Sequence, residues 1–229
     1  MQTSGKRSNL EQQLFALRDE QYAAFTAKLI PNIAADCIIG VRSPELRRIA
    51  KINNYQLTLF DSAILPHYWH EENMLHAYII NGIKDFDTAI YQTEQFLPYI
   101  TNWAVCDSLI PKAFDRQVEK LVKRIILWLD DQHEYTVRFG ISMLMHHFLD
   151  TRFAPEYLQM VADIKRTEYY IRMMQAWFFA TALAKQWDAT ITHLSPGRLD
   201  EWVRRKSIQK AVESYRISHE QKKILRSLR

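Results

Sequence analysis

Apolar residues recur at three- and four-residue intervals along almost the whole chain, a period that admits little but amphipathic helices. Leu10, Leu14, Leu17, Tyr22, Phe25 and Leu29 mark a first helix over 8–29, with Ser8 and Asn9 as caps and Pro31 as its end. Gly40 to Glu45 reads as a loop, then N-cap Ser43, N1 Pro44 and a helix through Leu46, Ile49 and Ala50. Further helices are expected over 56–65, 70–82, 87–97, 101–107, 116–131, 134–149, 155–164, 168–187, 198–214 and 218–228. Pro66, Gly82 and Pro98 supply stops. With 5 glycines and 7 prolines in 229 residues, the turns that an all-β or dinucleotide-binding fold needs are scarce. The expected class is all-α: an α-solenoid of stacked helical hairpins, with a compact irregular bundle as the alternative. No fixed-period repeat is visible, so the repeats would be degenerate and HEAT-like. No Gly/Ser linker divides the chain, which predicts one domain over 1–229.

Several function classes fall away early. Cys37 and Cys106 stand far apart without CxxC partners, which argues against a disulfide framework or a structural zinc site. The opening residues lack an apolar leader and no apolar run approaches a membrane span, so a soluble, cytoplasmic protein with no membrane association is expected. No phosphate-binding glycine loop or serine-hydrolase elbow is present. His67, His70, Glu71, Glu72 and His76 invite a metal reading, but Met74 stands where HExxH needs its second histidine. His146 and His147 are adjacent, hence on different faces of a helix. The net charge of +4 is compatible with a polyanionic partner without requiring one. Lys112, Arg116, Lys120 and Arg124 recur at i+4 steps, and Arg204, Arg205, Lys206, Lys210, Lys222, Lys223 and Arg226 crowd the last helices; both groups suit phosphates and solvated faces alike.

One stretch carries a pairing that a core does not explain. In Thr101-Asn102-Trp103-Ala104-Val105-Cys106-Asp107, a helix sets Trp103 and Asp107 one turn apart on the same face. Val105, Cys106 and Leu109 supply the apolar stripe that packs inward, leaving the indole and the carboxylate toward a cleft. Asp107 alone also reads as a turn cap or an ion-pair partner. Trp177, in the helix 168–187 that is apolar nearly all round, reads alone as core packing.

Four stretches in order along the chain resemble the bacterial DNA alkylation repair family of the AlkD type, HEAT-like-repeat DNA glycosylases. They are Gly40-Val41-Arg42-Ser43-Pro44-Glu45-Leu46-Arg47, Asn102-Trp103-Ala104-Val105-Cys106-Asp107, Tyr135-Thr136-Val137-Arg138, and Glu168-Tyr169-Tyr170-Ile171-Arg172 leading to Trp177. The resemblance implies a concave, basic superhelix that holds duplex DNA and removes purines alkylated at N3 or N7. It also implies an acid at Asp107, cleft tryptophans at Trp103 and Trp177, and an arginine at Arg138 near the lesion. Arg42, Arg47 and Arg172, within the same motifs, are further candidates for DNA contact. Where family members carry an acid after the first tryptophan and a basic residue beside the arginine, this chain has Ala104 and Phe139-Gly140.

The residue types suit that chemistry on physical grounds. A cationic alkylpurine leaves readily, so the transition state concentrates positive charge on the deoxyribose, where a carboxylate stabilises it and orients water. Indole faces add about 0.5 to 2 kcal/mol each and exclude solvent. The expected protein is a monomeric glycosylase acting on alkylated duplex DNA without a cofactor. The alternative is a catalytically silent HEAT-like module that binds nucleic acid or protein.

Overall fold

The computed structural model describes residues 8–57 and 65–228. Among these residues the structure is all-helical, with thirteen α-helices, several short 3-10 turns and no strand. The helix expected over 56–65 lies largely outside the described residues. The chain divides into two compact units, Met1–Gln117 and Val118–Arg229. In each, helices pack on their neighbours along the chain, as in an α-solenoid of hairpins.

The first unit holds α1 (Asn9–Ala16), α2 (Glu20–Leu29), α3 (Ser43–Ile52), α4 (His70–Gly82), α5 (Phe86–Phe96) and α6 (Trp103–Ser108). The single helix expected over 8–29 is two, because Asp19 starts a new one by accepting the Tyr22 N–H at 2.9 Å. Ser8 caps α1 reciprocally with Glu11, as a capping box. Ser43 is not the cap of α3: it is the first helical residue, and no side chain caps that end. The loop before α3 is held instead by Glu71 of α4. Its buried carboxylate accepts the N–H groups of Ile39 at 2.9 Å, Gly40 at 2.7 Å and Val41 at 3.3 Å. Gly40 has φ +95, and a Cβ there would meet the Asp19 carbonyl at 2.2 Å, so the turn admits only glycine.

The second unit holds α7 (Val118–Leu129), α8 (Glu134–His147), α9 (Glu156–Ala162), α10 (Tyr169–Lys185), α11 (Trp187–Ile191), α12 (Glu201–Glu213) and α13 (His219–Ser227). Packing runs α7 on α8, α8 on α10, α10 on α12 and α12 on α13. That serial order is why α8 and α10 are buried on several sides. Gly140 lets α8 approach α7 closely, since a Cβ would sit 3.0 Å from the Leu129 side chain. On α7, Ile126 is 47% exposed, whereas Trp128 is buried in the core. The run Lys112 to Arg124 is not one stripe: Lys112–Arg116 is a 3-10 turn and α7 begins at Val118.

Candidate functional site

In the first unit the site is built on α6. Asn102 caps the helix by accepting the Val105 N–H at 3.1 Å, and Val105, Cys106 and Leu109 are buried. Trp103 and Asp107 then fall one turn apart, both half-buried, as the spacing predicted. Both flanks of the segment are held by side-chain amides. Ahead of it, Asn32 donates to the Thr101 carbonyl. Behind it, Asn81 of α4 donates to the Ser108 carbonyl at 2.7 Å and accepts the Ile110 N–H at 2.6 Å. The Trp103 indole N–H donates to the Leu29 carbonyl at 3.0 Å, which ties the ring to the end of α2. The indole is therefore a fixed plate beside the carboxylate. Asn32 and Asn81 escaped sequence reasoning, since a lone asparagine on a helix or loop carries no signal of the distant backbone it grips.

The two arginines of the α3 motif differ in what engages them. Arg42 is 61% exposed at its side chain, lies 2.8 Å from the Asp19 carboxylate and covers the Tyr22 ring at 4.8 Å. The Tyr22 backbone N–H, followed by the Arg42 guanidinium, holds the Asp19 carboxyl below its usual range. Arg47 stacks over the Tyr78 ring at 4.9 Å and has no ion pair among the described residues.

In the second unit Arg138 is 4% exposed, and its guanidinium donates to the Tyr170 carbonyl at 2.8 Å. Glu134, one turn earlier on α8, accepts the Tyr170 N–H at 3.0 Å. The pair holds the backbone of Tyr170 at both its N–H and its carbonyl and fixes the first turn of α10. Trp177 is 39% exposed, although Ala176, Phe178 and Phe179 beside it are fully buried. The core reading of that residue, natural for an apolar helix, does not hold. Arg172 pairs with Asp200 at 2.8 Å and lies over the Trp202 ring at 4.6 Å, joining α10 to the start of α12.

Several of the remaining candidates serve the fold. His67 Nε2 lies 2.8 Å from His76 Nδ1, and His76 stacks on Phe96 with centroids 4.3 Å apart. His147 is buried and His146 exposed, as their adjacency implied. Arg204 is consumed by Glu201 and by the Leu228 carbonyl at 2.6 Å, and Arg205 by Glu201.

The described residues form an all-helical fold of neighbour-packed helices, consistent with an α-solenoid, and α6 carries a carboxylate and an anchored indole one turn apart on a half-buried face. The family model for "DNA alkylation repair enzyme" matches residues 10–182, and the chain belongs to that family. A search of curated proteins finds no match. The match ends within α10, so α11, α12 and α13, including Trp202, lie outside it.

Proposed function

We propose that this protein is a DNA glycosylase that excises purines carrying a positive charge from N3 or N7 alkylation in duplex DNA. The observation that carries the reading is the Trp103 and Asp107 face of α6, half-exposed and braced at both flanks, in a member of a DNA alkylation repair family. As the glycosidic bond breaks, its electron pair passes to the purine nitrogen, which leaves neutral, and the deoxyribose becomes oxocarbenium-like. The Asp107 carboxylate stabilises that cation and orients the water whose oxygen bonds to C1′, the water proton passing to the carboxylate or to solvent. Trp103 and the exposed Trp177 supply aromatic faces. Arg42 and Arg47, the more open of the named arginines, contact the DNA backbone, and Arg138 and Arg172 contribute chiefly by placing α10 and α12.

The test is release of 7-methylguanine from methylated duplex. Asp107→Asn keeps the shape and removes the charge, with a loss of about 100- to 1,000-fold expected by the scale of a lost electrostatic stabiliser. Equal rates in the two proteins would remove Asp107 from the mechanism. One observation favours a silent binding module instead: Arg138 and Arg172 are held by protein acceptors, which leaves the motif arginines of α8 and α10 with structural duties. Tight, salt-sensitive duplex binding with no release of base at all would establish that second reading.

A further inference from the structure

The first unit contains a cavity of about 170 Å³ between the end of α3, the end of α4 and the 3-10 turn at Lys112, lined in part by Arg47, one of the arginines assigned above to DNA. Arg47, Lys112, Tyr55, Tyr78 and Asn81 line it, and none of its lining residues is acidic. Neither Arg47 nor Lys112 has a carboxylate partner among the described residues. Tyr78 is 4% exposed, and its hydroxyl is buried without a hydrogen-bond partner. An unmet buried hydroxyl costs about 1–3 kcal/mol, so the one carried by Tyr78, a residue of the cavity wall beside two cations, is a donor awaiting an acceptor. The wall is also specifically shaped. Tyr55 has φ +55, and its ring lies where a Cβ on Gly82 would come within 2.0 Å, so only glycine at 82 admits it.

We propose that this cavity is a site for a phosphate group. Arg47 offers the planar fork that matches two phosphate oxygens, Lys112 a mobile point charge and Tyr78 a hydroxyl donor, a set of three donors with a net charge of about +2 and no anion of its own. Asn81 joins the cavity to the proposed site, because its amide forms part of the wall while gripping Ser108 and Ile110 just beyond Asp107. The group comes either from a DNA backbone, in which case the inference rests on the DNA reading above, or from free phosphate.

Inorganic phosphate titrated into the full chain at constant ionic strength, followed by calorimetry and by the rise in melting temperature, is expected to bind saturably. Tyr78→Phe and Lys112→Ala should each weaken it about tenfold, the scale of one hydrogen bond to a charged group. Tyr78→Phe should leave the melting temperature without phosphate unchanged or higher, which a hydroxyl with a structural role would not do. Lys112 is exposed, so its variant reads the site without challenging the core. Displacement of phosphate by unmodified duplex assigns the source to DNA backbone, and indifference to saturating duplex assigns it to the free anion. Absence of binding, or equal affinity in wild type and both variants, overturns the inference. Phosphate binding in a protein that releases no alkylated base would sustain the cavity and end the glycosylase reading, so the two fail separately.

Discussion

Acid should unfold the first unit through three buried imidazoles, and the size of the effect follows from their surroundings. His67, His70 and His76 are all at least nine-tenths buried on or beside α4. Burial pushes His67 and His70 down to about 4, and burial followed by the neighbouring His67 pushes His76 down to about 3. Each folded value lies below the 6.5 of a free imidazole, so the unfolded chain takes up the proton first. Stability is therefore full above pH 6.5 and is lost as pH falls toward the folded values. Near pH 5 each unfolded imidazole is about 1.5 units below its pKa while the folded one is still neutral, a loss of about 2 kcal/mol per residue or roughly 6 for three. That is comparable with the whole stability of many domains. Glu71 and Glu72, raised by burial, act in the opposite sense, and the cleanest measurement is a difference. His76→Phe keeps the stacking on Phe96 and loses the His67 bond. Urea unfolding followed by circular dichroism should find it about 1 kcal/mol less stable than wild type near pH 7.5 and about 1 kcal/mol more stable near pH 5. A gap that does not change between those pH values would refute the account of these histidines as buried neutral groups.

Three further outcomes follow from the geometry. Gly40→Ala places a methyl against the Asp19 carbonyl at a positive φ and should cost about 3 kcal/mol or more, a fall of roughly 6–12 °C in melting temperature; a stable variant would mean the α2–α3 turn is not fixed as described. Asn81→Ala removes both bonds behind Asp107 and should cost about 2 kcal/mol in stability but about a hundredfold in base excision at a temperature where it is folded, so wild-type excision would deny that Asn81 positions the acid. Gly140→Lys, which restores a basic residue beside Arg138, should destabilise by about 1–3 kcal/mol through contact with Leu129 without raising duplex affinity; tighter binding with unchanged stability would count against the close α7–α8 approach.

Much of the fold was legible because its signals are local. The bounds of α4 match the expected 70–82 at both ends, since the apolar period and Gly82 act within the segment itself. The α6 face was legible for the same reason, as four-residue spacing alone sets Trp103 beside Asp107. What failed depends on distance. Asp19 reads as one polar residue in a continuing stripe until its cap bond to Tyr22 and its pair with Arg42 are seen. The exposure of Trp177 is set by which helices surround α10, and no pattern within 168–187 reveals that one side is left open. The part Glu71 plays has no local signal at all: Met74 argues against a metal in its stretch, and its partners are three backbone N–H groups some thirty residues earlier.

The departures from the family pattern take on physical sense together. Arg138 is buried and cannot turn to a phosphate without giving up its charged bond to the Tyr170 carbonyl, a class worth about 1.5–3 kcal/mol, so its first duty is to the α8–α10 contact. The residue beside it, Phe139, is fully buried, and Gly140 is spent on the approach to Leu129, which leaves that side of α8 no room for a second cation. The exposed pair of Arg42 with Asp19 belongs to the class worth about 0–1 kcal/mol, weak enough for a phosphate to compete for the guanidinium. Arg47 has no ion pair to surrender among the described residues. The cationic contribution to any polyanion contact thus shifts from the α8 motif toward the start of α3. Gly40 and Glu71 fix the chain there, on a part of the same unit that also carries Asp107.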